Sequence, residues 1–432
     1  MSAGYASSWV IGAVSGIDNW RHQTRFRRTF GEGGIDRRGE NIYRLRYRVG
    51  GKRFTKTFHG TLTQARVELR ALIRASDIGE HVEPKRLTVA QWIDQWLVAG
   101  APGRRKKKVG QRTLERYEQL LNTHVKPAIG EQILQQLRAA AIDNLYALLE
   151  DKIAPRTAHH VHIVLGAALA TAHRTRLIAI NPMAHVQQVP NPEAMIQEDD
   201  DRGDIADGLE EHELSALVAG FKHLDLFPIV ALAAACGARR NELLALRWTD
   251  LDLEKKKLRI ERALEQTKKF GIRVKAPKTK RGCRTIDLDD ATIGMLVAKR
   301  AEYQRLISGI PDGADVDLTL VRLPAKALIF PAVPGRGESF DLTRPRNPRN
   351  FSKEFARRAD VVGFGATRFH DLRGVHATAL LDAGIPVHRV AERIGDDPAV
   401  LLRNYAKRKR SKGADESLAQ TLAAIAGGFL NF

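Results

Sequence analysis

Residues 369–408 read FHDLRGVHATALLDAGIPVHRVAERIGDDPAVLLRNYAKR. His370 and Arg373 stand three apart, so on a helix they share a face. Asp371, between them, is placed to cap that helix. The H-x-x-R spacing alone says little, because His22–Arg25 and His173–Arg176 match it too. The residues downstream of this copy are more specific. Gly395 ends one helix and Pro398 begins the next, each in its favoured terminal position. Tyr405 then falls two turns along the second helix. A tyrosine on a helix is ordinarily core packing. This one has Arg403, Lys407 and Arg408 around it, a setting that favours a nearby phosphate.

Two upstream stretches belong with it. In Ala235-Cys236-Gly237-Ala238-Arg239-Arg240-Asn241-Glu242-Leu243-Leu244-Ala245-Leu246-Arg247-Trp248, the apolar Ala235, Leu243 and Leu246 have helical spacing. Gly237 interrupts that spacing, so Arg239 should sit at a turn into a new helix, with Glu242 placed to hold the turn. In Lys275-Ala276-Pro277-Lys278-Thr279-Lys280-Arg281-Gly282-Cys283-Arg284-Thr285-Ile286, β-prone segments flank a basic turn. That predicts a hairpin tip or sheet edge, from which a flexible lysine can reach an anion. Taken singly, Arg239 reads as a surface arginine at a helix start and Lys278 as part of another basic loop.

Together these stretches resemble the catalytic domain of the tyrosine recombinase (phage integrase) family. The resemblance runs from Leu214 to Tyr405. It rests on G-x-R-R-x-E-L-L-A-L-R-W, P-K-T-K-R, F-H-D-L-R and I-G-x-x-P…Y, in the family's order and at its approximate spacing. It implies that Arg239 and Arg373 clamp the nonbridging oxygens of a scissile phosphate. Lys278 would protonate the departing 5′ oxygen, and His370 would assist proton transfer at the tyrosine. Tyr405 would attack phosphorus, leaving a 3′-phosphotyrosine and a 5′ hydroxyl. The chemistry is coherent. Fixed guanidiniums oppose the charge that gathers on phosphate oxygens, and their planar fork matches two oxygens at once. A phenol with pKa of about 10 needs proton removal or cationic surroundings to attack at neutral pH. No cofactor is implied, since the ester retains the phosphodiester's energy and the arginines can do what Mg²⁺ often does.

One position departs from the family. Where His or Trp usually follows the glycine, this chain has Asp396. A carboxylate about 4 Å from a phosphate is repelled by roughly 4 kcal/mol at an effective dielectric near 20, on the order of a thousandfold in rate. Three readings are open: Asp396 turns away toward Arg393 or Arg373, it is protonated in place, or the enzyme is impaired. A smaller departure is Gly374-Val375, where a His often follows the arginine.

Upstream, the sequence predicts a multidomain chain, mainly α with small β-sheets. Residues 1–60 carry 12 Lys/Arg against 4 Asp/Glu. After an N-terminal extension over 1–30, for which disorder is the expectation, a unit over 31–85 contains the alternating Ile42–Val49, then Gly50-Gly51, then Lys52–Phe58. This is a hairpin with one apolar and one basic face. A helix capped by Thr63 and running to Ala75 should cover it, with Arg44, Arg46, Arg48 and Lys56 outward as DNA contacts. A helical unit follows over 87–190, with helices at Thr88, Thr113–Leu121, Ala139–Leu149 and Arg156–Arg174. Its basic loop of Arg104, Arg105, Lys106 and Lys107 offers phosphate contacts. Between Glu193 and Glu213, ten acidic residues against one basic residue mark a linker, placed at 191–208. The mixed α+β catalytic unit takes 209–432. These units resemble the family's arm-binding and core-binding domains.

Composition agrees with a polyanionic partner. The chain has 432 residues, 70 Lys+Arg against 50 Asp+Glu, and a formal charge of +20. Two cysteines, Cys236 and Cys283, exclude a disulfide framework, and no apolar run is long enough to span a membrane. A cytoplasmic, nucleoid-associated protein is expected. The partners implied are double-stranded attachment sites of a mobile or viral genome, three further copies of the chain in a tetramer on DNA, a directionality factor and a host DNA-bending protein. Apolar Leu418, Leu422, Ile425 and Phe429 could pack on a neighbouring copy or in cis. Two rival functions are a DNA-binding relative without catalysis and a type IB topoisomerase. The three-part layout argues against the topoisomerase.

Overall fold

The computed structural model describes residues 33–77, 82–103, 107–191, 209, 211–277 and 280–410. Strands β1 (Gly34–Gly39), β2 (Ile42–Val49) and β3 (Lys52–His59) form an antiparallel sheet in the order β1-β2-β3. Gly50 and Gly51 make the β2–β3 turn, both at positive φ (54° and 82°), the conformation a two-residue hairpin turn needs. Helix α1 (Leu62–Asp77) lies on the sheet, and Tyr43, Leu45, Tyr47, Ala65 and Leu69 form the core between them. Strand β1 adds to the expected hairpin; its GIDRRG sequence has no apolar alternation to announce it. The cap of α1 also lies earlier than expected. Thr61 accepts from the Gln64 N–H through Oγ1, and Gln64 returns the bond to Thr61 N, while Thr63 lies inside the helix.

The alternation of β2 divides the basic residues. Arg44, Arg46 and Arg48 face away from α1, opposite Thr57, Thr55 and Arg53. Lys56 pairs with buried Leu45, so it lies on the helix-covered face. There its Nζ meets Glu68 Oε1 at 2.6 Å. The expectation that Lys56 belongs to the outer basic face is therefore corrected by one step of strand register.

Four helices build the next unit: α2 (Val89–Val98), α3 (Gln111–Leu120), α4 (Ala139–Glu150) and α5 (Pro155–Arg174). Thr88 caps α2 in a reciprocal capping box with Gln91. Helix α3 continues through a π-helical turn at Leu121–Val125 to Ile129. Trp92, Ile93 and Trp96 of α2 pack in one cluster with Val161, Leu165, Ala168 and Leu169 of α5. The Trp92 indole donates to Ala168 O at 3.1 Å, so its only polar side-chain atom is satisfied on burial.

A separate cluster organises the remainder. Helix α6 (Glu211–Gly220) precedes α7 (Phe227–Cys236), which contributes Ile229, Val230, Leu232, Ala233 and Cys236 to the core. After the short helix α8 (Arg240–Leu243) come β4 (Leu251–Asp252), β5 (Lys257–Ile260), β6 (Ala263–Thr267), β7 (Gly271–Lys275) and β8 (Arg284–Asp287). Helices α9 (Asp290–Ser308), α10 (Pro348–Val361), α11 (Asp371–Asp382), α12 (Val387–Ile394) and α13 (Pro398–Arg410) complete the described chain.

Strand β7 pairs with β6, whereas β8 pairs with β5. The basic turn after Lys275 is thus a connection between the edge strands of two sheets, the sheet edge and not the hairpin tip of the two expectations. The hairpin tip is Lys268–Phe270. It docks on the helical unit, where Glu115 of α3 accepts from the backbone N–H groups of Lys268 and Lys269 at 2.9 and 3.1 Å. No described helix is long and apolar enough to cross a membrane.

Candidate active site

The site forms where α7 breaks. Gly237 ends α7 in the left-handed region (φ 61°), and a Cβ there would lie 2.7 Å from the His376 ring. Arg239 follows as the residue before α8. Glu242 holds it twice: Oε2 accepts from Arg239 N at 3.0 Å, and Oε1 accepts from Nη1 at 3.0 Å. The Arg239 turn and the supporting role of Glu242 are as the sequence indicated.

Arg373 enters from the first turn of α11. Its Nη1 donates to Gly237 O at 2.9 Å and Ile394 O at 2.6 Å, which fixes the guanidinium against both neighbouring segments. The side chain is only 6% exposed. His370 is the residue immediately before α11. Partial desolvation, then the charges of Arg373, Arg239 and Arg368, hold its pKa below the ordinary histidine value, with Asp371 acting the other way. Its imidazole is therefore neutral at pH 7 and able to accept a proton. Asp371 does not cap α11 as a preceding residue would. It is the first helical residue, and its carboxylate takes the Arg368 N–H at 2.8 Å.

Asp396 lies between the two arginines. Its Oδ1 accepts from Arg239 Nη2 at 3.1 Å and its Oδ2 from Arg373 Nη2 at 2.8 Å. One anionic group with two oxygens thus fills the fork that two guanidiniums present. Arg373 is one of the partners suggested from sequence, but Asp396 does not turn away from the two arginines: it bonds both Arg373 and Arg239. Arg393 is not a partner. It points the other way, donating to His376 Nε2, Asp287 O and Ala235 O.

Tyr405 is on α13, past the Gly395–Pro398 bend. Its hydroxyl donates to Asp382 Oδ1 at 2.7 Å. Desolvation and the Asp382 carboxylate together push the phenol up to about 12. Asp382 is the last residue of α11, nine positions beyond Arg373, about 14 Å along the axis at 1.5 Å per residue. Arg239 and Arg373 therefore meet at Asp396, with His370 at the start of α11, while the Tyr405 hydroxyl is held at the far end of that helix.

Lys278 lies outside the described residues, as do Arg104, Arg105 and Lys106, the 1–30 extension, the acidic segment from 192 to 208 and Leu418–Phe429. Lys107 is described and exposed. The ends of the Lys278 connection are described as well. Gly282 lies so close to Pro277 that a Cβ would come within 2.5 Å of it, and Arg281 pairs with Asp397 in the bend before α13. A cleft of about 670 Å³ opens beside Arg239, walled by Arg112 and Arg116 of α3 on one side and Leu264, Lys275 and Pro277 on the other.

Residues 209–411 match the model of the phage integrase family. The chain thus carries a domain of the phage integrase family of tyrosine recombinases. A XerC-like tyrosine recombinase of Caldanaerobacter subterraneus subsp. tengcongensis is 24% identical over 382 residues, covering 83% of this recombinase and 90% of that protein. An integrase of Mycobacterium phage FRAT1 is 24% identical over 345 residues, covering 79% and 89%. Among solved structures, the Tn1549 transposon integrase in complex with transposon right-end DNA superposes with a TM-score of 0.56. That match has 18% identity and covers 77% of this recombinase and 99% of that chain. The recombinase is accordingly an enzyme of the DNA strand-exchange class, built mainly of helices with small sheets. Nothing in these relationships favours a catalytically impaired form.

Sequence reasoning missed Asp382, Arg284 and the Arg393–His376 pair. Arg284 did leave a signal. It shares the inward parity of β8 with buried Ile286, and a buried arginine must have a partner. Asp382 left none, because its contact joins two helices through tertiary packing.

Proposed function

We propose that this recombinase cuts and rejoins double-stranded DNA at specific attachment sites, integrating or excising a mobile element, and that Tyr405 is its nucleophile. The observation that carries the proposal is the Asp396 carboxylate held by Arg239 and Arg373 at 3.1 and 2.8 Å. A fork that grips two carboxylate oxygens also suits two nonbridging phosphate oxygens.

In the reaction, the scissile phosphate displaces Asp396 and takes both guanidiniums. Tyr405 leaves Asp382, and its oxygen bonds to phosphorus as the bond from phosphorus to the 5′ oxygen breaks. The phenol proton passes to neutral His370, and the Lys278 ammonium supplies a proton to the leaving oxygen. Attack by the 5′ hydroxyl of a partner strand reverses each transfer and frees the tyrosine. The Gly395–Pro398 bend is the hinge for this motion, because Gly395 already sits in the left-handed region (φ 68°) and Asp396 lies within the bend.

Arg44, Arg46 and Arg48 form an exposed row that suits the groove of an outlying site, while Lys107 and the cleft walls suit the core site. Strand exchange between two duplexes requires four active sites, hence a tetramer on DNA, working with a directionality factor and a DNA-bending protein beside the nucleoid. The test is recombination between two plasmids carrying the attachment sequences recovered from DNA flanking the gene. The proposal expects joint products that disappear with Tyr405→Phe. Site-bound protein without products would favour a binding module, and relaxation of any supercoiled plasmid would favour a topoisomerase.

A further inference from the structure

Arg284 takes no part in the chemistry just described, yet it is among the most deeply placed charges in the protein. Its side chain and that of Glu242 are each 4% exposed. Its guanidinium bonds to three different segments. Nη2 donates to Glu242 Oε2 at 2.8 Å, Nε to Arg393 O at 2.7 Å, and Nη1 to Gly282 O at 3.2 Å. Each acceptor leads to a reacting group. Glu242 grips Arg239. Gly282 closes the connection that carries Lys278. Arg393 O belongs to the last turn of α12, and the next two carbonyls, Ile394 O and Gly395 O, accept from Arg373 and Arg239 at 2.6 and 2.9 Å. The fit is close on the remaining side too, for a Cβ on Gly395 would lie 2.9 Å from Arg284 Nη1.

Resting on the recombinase reading, we propose that Arg284 is a positioning residue that keeps the charge of Arg239 available to the scissile phosphate. Glu242 is a buried anion and needs a cation. With Arg284 present, that demand is met from below, and Arg239 keeps only one edge, Nη1, on Glu242. Its Nη2 stays aimed at the anion between the two clamp arginines. Without Arg284, the uncompensated carboxylate draws the Arg239 guanidinium fully onto itself, away from phosphate. Burial raises the Glu242 pKa, but the bonds and charges of Arg284 and Arg239 outweigh it and hold the carboxyl below its usual range. Glu242 is therefore ionised and competes with phosphate for Arg239.

The test uses the full-length chain and a nicked suicide duplex at saturating concentration. The duplex carries either a native or a methylphosphonate scissile linkage. Methylphosphonate lacks one anionic nonbridging oxygen, so its penalty measures how much charge the arginine clamp delivers. Arg284→Lys keeps a cation but can follow only part of the three-way contact, and Arg284→Met removes it. For Arg284→Lys we expect DNA affinity within about twofold of wild type and single-turnover cleavage at least about tenfold slower, part of the roughly hundredfold cost of losing one oxyanion donor. We also expect a smaller native-to-methylphosphonate rate ratio than wild type. Should Arg284→Met fail to fold, Arg284→Lys alone decides. Wild-type cleavage by Arg284→Lys overturns the proposal, and so does slow cleavage with an unchanged ratio, which would mean that Arg284 does not act through Arg239. If the wild-type chain forms no Tyr405 adduct, the recombinase reading itself has failed, and this inference falls with it.

Discussion

Tyr405 and Asp382 are bonded to each other, hydroxyl to carboxylate, at 2.7 Å. The bond holds the proposed nucleophile in its neutral form and at the end of α11 away from Arg373. Asp396 does the complementary thing to the arginine clamp. Two aspartates, neither of them a participant in the proposed bond changes, thus cap the two halves of the reaction before DNA arrives.

Removing the first cap should speed the enzyme. A hydrogen bond to an exposed carboxylate contributes about 1 kcal/mol, so Asp382→Asn is expected to raise single-turnover cleavage about fivefold. The phenol, pushed up to about 12 in the wild type partly by that carboxylate, should titrate at lower pH in the variant. Ultraviolet titration of the tyrosinate and quenched-flow cleavage measure the two effects. An unchanged rate would mean that release of Tyr405 does not limit attack.

The second cap can be removed independently. Asp396→His should raise cleavage of a suicide substrate, by relieving repulsion and restoring a donor at that position. Asp396→Asn leaves the Arg239–Arg373 fork without an anion, at a cost on the order of 1–3 kcal/mol. Added inorganic phosphate should then stabilise the variant more than the wild type in thermal unfolding. Equal shifts would show that Asp396 does not occupy an anion site.

The sheet makes a prediction about register. Alanine at Arg44, Arg46 and Arg48 together should weaken binding to outlying-site DNA. It should also lower the salt dependence, by up to about 0.9 for each phosphate no longer neutralised. Lys56→Ala should change neither, because Lys56 lies on the opposite face and pairs with Glu68. Fluorescence anisotropy across a salt series separates the two. Equal effects would contradict the assignment of faces.

A buried histidine sets a pH dependence. His376 Nδ1 donates to Ala234 O at 2.9 Å, and its Nε2 accepts from Arg393. Burial, then the Arg393 charge, lowers its pKa to about 4. The unfolded chain therefore binds more protons than the folded one between about pH 4 and 6.5. Stability conferred by the neutral ring is complete above about 6.5 and is lost as pH falls toward about 4, by roughly 3 kcal/mol at most. Urea unfolding of wild type and His376→Gln across that range should show a flatter pH dependence in the variant. Parallel curves would remove His376 from the account.

Much of this architecture is legible in the sequence, and the remainder is not, for physical reasons. The β2–β3 hairpin, the helix starting at Thr88, the break at Gly237 and the Gly395–Pro398 bend follow from local periodicity and terminal residues. The meeting of Arg239 and Arg373 follows from a resemblance and not from spacing. The features that escape are tertiary. Strand partners of β7 and β8 depend on distant segments, so the sequence leaves the Lys278 connection as either a hairpin tip or a sheet edge. Lys56 reads as an outer-face residue because alternation within β3 is obscured by Thr55 and Thr57. Asp396 leaves several readings open in the sequence because its second partner, Arg239, is 157 positions away.

Covalent trapping tests the central claim most directly. A suicide duplex built on the attachment site, incubated with the full chain and digested, should yield a DNA 3′-phosphate linked to Tyr405 in the peptide mass spectrum. Tyr405→Phe should bind the same DNA and form no adduct. Site-specific binding by the wild type with no adduct, or an adduct on any other residue, would contradict the account.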